Sequence, residues 1–159
     1  MNKTVNVKFN VPLQDLNIKP LSIAKFFYKK GITSHLFTQK LIYFAFIEGL
    51  KNNLLFFSER FQAWKYGPVL TSVFEEMTYC ENIDDMFSKV PILRQEKVKV
   101  ILEKIYRDYR KWNVWDLVDE SHKGPWAKTR GNLSLEEVST QEIELKDLIN
   151  FADAQKQTD

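Results

Sequence analysis

The stretch "TSHLFTQKLIYFAFIEGL", residues 33–50, decides the fold. A Thr-Ser pair opens it, and Leu36, Phe37, Leu41, Phe44 and Ile47 recur behind that pair at helical spacing. Ile42, Tyr43, Phe46 and Leu50 widen the stripe until the middle is apolar nearly all round. A helix of this kind is enclosed by other elements rather than laid on a surface. The segment therefore predicts a buried central helix, and the rest of the chain has to supply its cover.

Candidate covers lie on both sides. "PLSIAKFFYKKG", residues 20–31, places a Pro in the first helical turn and a Gly at the stop, with Ile23, Phe26 and Phe27 on one side. After the polar break "KNN", the runs "LLFF" (54–57) and "FQAW" (61–64) are separated by "SER", which predicts a small β-hairpin between them. Pro68 in "YGPVL" suits the first position of a helix, where its missing N–H would be unpaired anyway, and Val69, Leu70, Val73, Phe74 and Met77 follow at helical spacing. Residues 79–93 read as a loop or short helix. Val98, Ile101, Leu102, Ile105 and Tyr109 then mark an amphipathic helix. Asn113 is placed to cap a further helix, with Trp112 and Leu117 at staple positions, and Gly124-Pro125 ends it. Ser139 and Glu142 match a capping box ahead of Leu145, Leu148, Ile149 and Ala152.

The fold class expected is mainly α: a compact helical domain around a buried central helix, with one small β-hairpin. Residues 1–19, which include the alternating "TVNVKFNV", are read as an N-terminal arm or strand, 20–154 as the helical domain, and 155–159 as a frayed tail. A chain of 159 residues has the size of a single domain. Aromatics make up 14% of it, enough to build a dense core from few side chains.

Composition excludes several function classes. The longest apolar run, "LIYFAFI" at 41–47, is far below the roughly 20 residues that span a bilayer. The N-terminus has no apolar core of signal-peptide type. With one cysteine, Cys80, nothing calls for an oxidising compartment, and a cytoplasmic location is expected. His35, His122 and Cys80 show no metal-ligand spacing, and the five glycines build no phosphate cradle, so no metal and no cofactor is expected.

Catalytic constellations are equally thin. Ser121 and His122 are adjacent, and adjacent helical residues do not face one another. The paired carboxylates Glu75/Glu76, Asp84/Asp85 and Glu136/Glu137 point apart rather than at one substrate. Cys80 reads as a small side chain in or beside the core. No catalytic residue is assigned, and the chain is not expected to be an enzyme. The formal charge of +2 neither demands nor excludes nucleic acid. The segment 94–111 carries Lys97, Lys104, Arg107 and other basic residues, but interleaved Lys and Glu opposite an apolar stripe are what a solvated helix shows, so nucleic acid is not the expected partner.

Three motifs taken together resemble one family, the Panacea-domain antitoxins, with SocA-like and phage-associated GepA-like relatives. "FTQKLIYFAFIEGL" is similar to the family's central helix through Lys40, Leu41 and Tyr43. "FQAWKYGPVLTSVF" resembles its Ala-Trp-x-x-Gly-Pro-Val signature through Ala63, Trp64, Gly67, Pro68 and Val69. "DESHKGPWAKTRG" resembles its Thr-His-x-x-x-Pro-Trp element through His122, Pro125 and Trp126, with Ser121 where Thr is common. The resemblance runs from about Leu21 to Ala154 and leaves residues 1–19 out. It implies a helical domain that neutralises a protein toxin encoded next to it, or, in some members, an adaptor that delivers a toxin to a protease. The rival readings kept beside these are a nucleic-acid-binding regulator and an enzyme using Cys80 or His122.

The partner-binding or family-motif candidates are Lys40, Tyr43, Trp64, Tyr66, Gly67, Pro68, His122, Pro125 and Trp126. Architecture explains Trp64, Gly67 and Pro68 more simply than direct contact, because Gly-Pro at a helix start needs no ligand. Tyr66 and Trp126 are expected to be surface aromatics available as anchors. His122, in the last turn of a helix, is also explained by the macrodipole alone.

Overall fold

A computed structural model describes residues 12–158. Residues 33–50 fold as the sequence requires. Ser34 caps α2 (His35–Lys51) by accepting a hydrogen bond from the Phe37 N–H at 3.3 Å, and twelve of the helix's seventeen residues are buried. Its cover comes from α1 (Pro20–Lys29), the short strand β2 (Leu54–Leu55), the hairpin strand β4 (Gly67–Val69), α3 (Thr71–Tyr79), α5 (Glu96–Tyr109), α6 (Val114–Ser121) and α8 (Leu145–Thr158). The remaining elements are β1 (Gln14–Asp15), β3 (Gln62–Trp64), α4 (Ile83–Ser88) and α7 (Pro125–Arg130). The protein is thus mainly helical with a small antiparallel strand pair.

Aromatic side chains fill the interior. Phe46 meets Phe56, Phe57 and Phe61 with ring centroids 4.8 to 6.3 Å apart, and Tyr43 meets Phe61 edge-on at 5.3 Å. Phe27, Phe56 and Phe61 are completely buried. Each such ring contributes about 2 to 3 kcal/mol through the area it removes from water.

Four local expectations are corrected. The hairpin does not join residues 54–57 to 61–64; β3 pairs with β4 across the two-residue tip Lys65–Tyr66, with Gln62 opposite Val69 and Trp64 opposite Gly67. Residues 54–55 pair instead, in parallel, with β1. Pro68 accordingly lies in a strand, not at a helix start, and α3 begins three residues later at Thr71. A two-stranded sheet accommodates a proline because the missing N–H faces no third strand. Gly124-Pro125 does not merely stop a helix. It opens one: α6 already ends at Ser121, and Gly124, at φ 70°, precedes Pro125 at the first position of α7.

The fourth correction concerns the capping box. Ser139 accepts from the Gln141 N–H at 3.2 Å, residues 141–143 run extended beside β3 (Ala63 N to Gln141 O, 2.9 Å; Ile143 N to Phe61 O, 2.8 Å), and α8 starts only at Leu145. The helix then continues through Thr158, into the stretch expected to fray. The alternating "TVNVKFNV" lies outside the described residues. Just after it, Leu16 and Ile18 donate backbone hydrogen bonds to Leu55 and Phe56, and Ile18 is buried.

Candidate functional site

Polar residues inside an otherwise apolar helix mark where the three motifs meet. Thr38, Gln39 and Lys40 in α2 are all buried. Gln39 clamps the Leu70 backbone from both ends: its Nε2 donates to the Leu70 carbonyl at 3.0 Å, and its Oε1 accepts from the Leu70 N–H at 2.9 Å. Lys40 Nζ donates to the Pro68 carbonyl at 3.0 Å. From the other side, Trp126 Nε1 donates to the Trp64 carbonyl at 2.7 Å and Arg130 Nη1 to the Ala63 carbonyl at 3.1 Å. Side chains of α2 and α7 thus satisfy hairpin carbonyls that a wider sheet would otherwise pair. The result is a polar clasp around residues 63–70.

Gly67 is required at its centre for two reasons. Its φ of 112° lies in the region that favours glycine, and a Cβ there would stand 2.8 Å from Lys40 Nζ and collide with Ser121 Oγ. Lys40 and Ser121 side by side have the composition of a Ser–Lys nucleophile pair. Both, however, are 0% exposed, and the Ser121 hydroxyl is committed to the Val118 carbonyl at 2.8 Å.

Electrostatics in the clasp are one-sided. Burial pushes the Lys40 ammonium down from 10.5 to about 7. His122 stacks on Trp126, ring centroids 3.7 Å apart and 9° from parallel. Its pKa falls below the ordinary value, first through burial and then through the charge of Lys40, with Arg130 adding to the fall; Asp119 and a hydrogen bond to the Lys65 backbone oppose it. Arg130 sits over the Trp126 ring at 5.2 Å, and its guanidinium also donates to the Ser134 and Glu137 carbonyls at 2.8 and 2.7 Å. Three basic side chains therefore converge on the hairpin. His122 Nε2, Tyr43 Oη and Thr38 Oγ1 are buried without a hydrogen-bond partner.

The candidates separate into two groups. Lys40, Gly67, Pro68, His122 and Trp126 are joined in the clasp, with Trp64 contributing its carbonyl, while Pro125 serves as the first residue of α7, the helix that carries Trp126 and Arg130. Tyr43 stays apart, buried between Phe44 and Phe61. Trp126 is 7% exposed, so it is a clasp donor and not a surface anchor. Trp64 is half-buried, its ring edge-on to Phe74 at 4.9 Å. Tyr66, at the hairpin tip, is 44% exposed as expected and meets the more exposed Trp115 edge-on at 5.3 Å.

Sequence reasoning missed Gln39, Arg130 and Trp115. The first had a visible signal, a polar side chain at the start of the apolar run, because a buried polar residue always needs a partner. Arg130 and Trp115 carried none, since each gains its meaning from a segment distant in sequence. Along α5 the positive face is partly neutralised: Lys104 pairs with Glu48 and Asp108 at 3.4 and 3.7 Å, and Lys99 with Glu96 at 3.2 Å.

Among the described residues, no group of three or more His, Cys, Asp or Glu side chains could hold a metal ion, and no helix is long and apolar enough to cross a membrane. The family model described as antitoxin SocA-like, Panacea domain, matches residues 38–127, from Thr38 in α2 to Ala127 in α7. The chain belongs to that family, and the matched stretch contains the motif residues from Lys40 to Trp126 and the centre of the clasp. No curated protein and no solved structure matches the chain.

Proposed function

We infer that the chain is a non-enzymatic antitoxin that binds and neutralises a protein toxin encoded next to it, in the cytoplasm. Membership of the antitoxin family carries this reading. The clasp supports it from the chemical side, because its polar groups are spent on holding a hairpin and its nucleophile-like pair is sealed from solvent. What the hairpin presents outward is Tyr66 against Trp115, an aromatic pair of the kind that anchors protein interfaces.

Co-expression with the adjacent toxic reading frame tests the proposal. Growth should be restored, and the two proteins should co-purify as a stable complex. Tyr66→Ala should weaken rescue while leaving the melting transition in place. Rescue that needs a host protease although the complex forms would replace this reading with the adaptor, and recovery of nucleic acid without a protein partner would overturn both.

A further inference from the structure

Phe74 in α3 is the hub of a ring cluster at the surface: Trp64 of β3 meets it edge-on at 4.9 Å, His35 of α2 at 5.5 Å and Tyr79 at 6.4 Å. Phe74 and Trp64 are half-buried, His35 is exposed, and Tyr79 is 74% exposed. Val73 and Met77 are the residues that α3 buries, and the face carrying Phe74, Glu75 and Tyr79 is left at the surface. Charge singles this face out. From Tyr66 to Ser88 the chain carries Glu75, Glu76, Glu81, Asp84 and Asp85 and no Lys or Arg, in a protein of formal charge +2. All five carboxylates are exposed. None makes an ion pair among the described residues, whereas Glu96, Glu103 and Asp108 of α5 all do. Glu76, Glu81 and Asp85 also line an open groove of about 480 Å³ together with Met86 and Val90, and Lys19 and Lys89 are the bases on it.

We propose that this acidic, aromatic face docks a basic segment of the partner protein, whose Arg or Lys side chains pack over Trp64, Phe74 and Tyr79 and pair with the carboxylates. Cations are attracted to aromatic ring faces, and opposite charge steers the encounter and fixes its register. The carboxylates are too dispersed for any three to hold a metal ion, which suits an extended chain bearing several cations rather than a single one. Their charge repels phosphates, so neither a nucleic acid nor an anionic membrane fits the face. The proposal rests on the antitoxin reading for the identity of the protein that carries the segment, and on the face alone for its chemistry.

Titration of the intact, ¹⁵N-labelled chain with a short peptide of alternating Arg and Leu tests the face without the toxin. Amide shifts should concentrate on residue 64 and residues 74–85. Binding should weaken roughly tenfold in Glu75→Gln/Glu76→Gln and by a similar factor in Tyr79→Ser, with the melting transition kept because all three positions are exposed. Absence of binding, or shifts scattered over the whole surface, overturns the proposal. So does a Tyr79→Ser variant that binds like the parent, because charge alone then holds the peptide. Capture of the adjacent toxin separates the two readings. Equal capture by the parent and by Glu75→Lys/Glu76→Lys/Asp85→Lys overturns the docking face and keeps the antitoxin, whereas peptide binding at the face with no toxin recovered by the parent overturns the antitoxin and keeps the face. Capture by the parent that the triple variant loses supports both.

Discussion

Replacing Lys40 by Met should stabilise the protein at acid and neutral pH and do nothing at alkaline pH. In the fold this lysine is 0% exposed and its pKa is lowered from 10.5 to about 7 by burial. A shift of that size separates the two protonation states by about 5 kcal/mol, at about 1.4 kcal/mol per unit. The unfolded chain keeps the proton up to about 10.5 and the folded chain only to about 7, so between those values the unfolded state binds more protons. Stability must rise with pH through that window and carry the full cost below it. Integration gives a gain of roughly 2 to 3 kcal/mol from about pH 6 to about pH 9. Met removes the charge but leaves the Pro68 carbonyl without its donor, a loss of about 1 to 3 kcal/mol. The variant should therefore exceed the parent by roughly 2 kcal/mol near pH 6 and match it near pH 9. His122, also held below its ordinary value, contributes a slope of the same sign at lower pH in both proteins. Guanidinium unfolding followed by tryptophan fluorescence at a series of pH values measures the difference directly. A Lys40→Met variant less stable than the parent at pH 6 would refute the argument, since the ammonium would then contribute more through its hydrogen bond than its burial costs.

Gly67→Ala should lower stability by roughly 2 to 4 kcal/mol, combining left-handed strain with the displacement of Lys40 and Ser121; a melting temperature within a degree of the parent's would show that the clasp yields freely. Trp126→Phe should cost about 1 to 3 kcal/mol, because the Trp64 carbonyl loses its donor, and its denaturation midpoint reports this. Phe44→Asp places an unpaired charge in the face that stacks on Tyr109 at 4.7 Å and should abolish cooperative unfolding, which circular dichroism would reveal. Cys80→Ala should leave toxin rescue unchanged, as this half-buried thiol makes only a long contact, 3.8 Å, to the Met77 carbonyl; loss of rescue by a folded variant would reopen a redox or catalytic role.

The central helix was legible because its signal is local: apolar residues on every side of a capped helix leave one interpretation. Its cover was legible for the same reason in α1 and α5, where Pro20 and the stripe from Val98 to Tyr109 each speak for a single element. The hairpin was misplaced because two Gly-Pro pairs look alike on paper. At Gly124-Pro125 the helix-start rule holds; at Gly67-Pro68 the same dipeptide lies in a strand, since Gln39 and Lys40 supply hydrogen bonds that fix the backbone as extended through Leu70. Those bonds span twenty-eight or more positions, beyond any pattern read in a window. Ser139 and Glu142 misled in the same way, because pairing beside β3 outweighed a cap.

The clasp also changes what the motif residues mean. A tryptophan, a glycine-proline pair and a histidine in three separate stretches invite the reading that each touches a partner. Their geometry assigns most of them to one task, holding a strand pair that is too short to be stable alone. A single ladder of three residue pairs provides little hydrogen bonding for a hairpin, so its position depends on Lys40, Gln39, Trp126 and Arg130 as much as on strand pairing. Tyr66 inherits that dependence. Its ring is displayed against Trp115 only while the carbonyls of residues 63, 64 and 68 remain gripped, so a substitution in the clasp, with no access to solvent, acts on the exposed tip through the backbone that connects them.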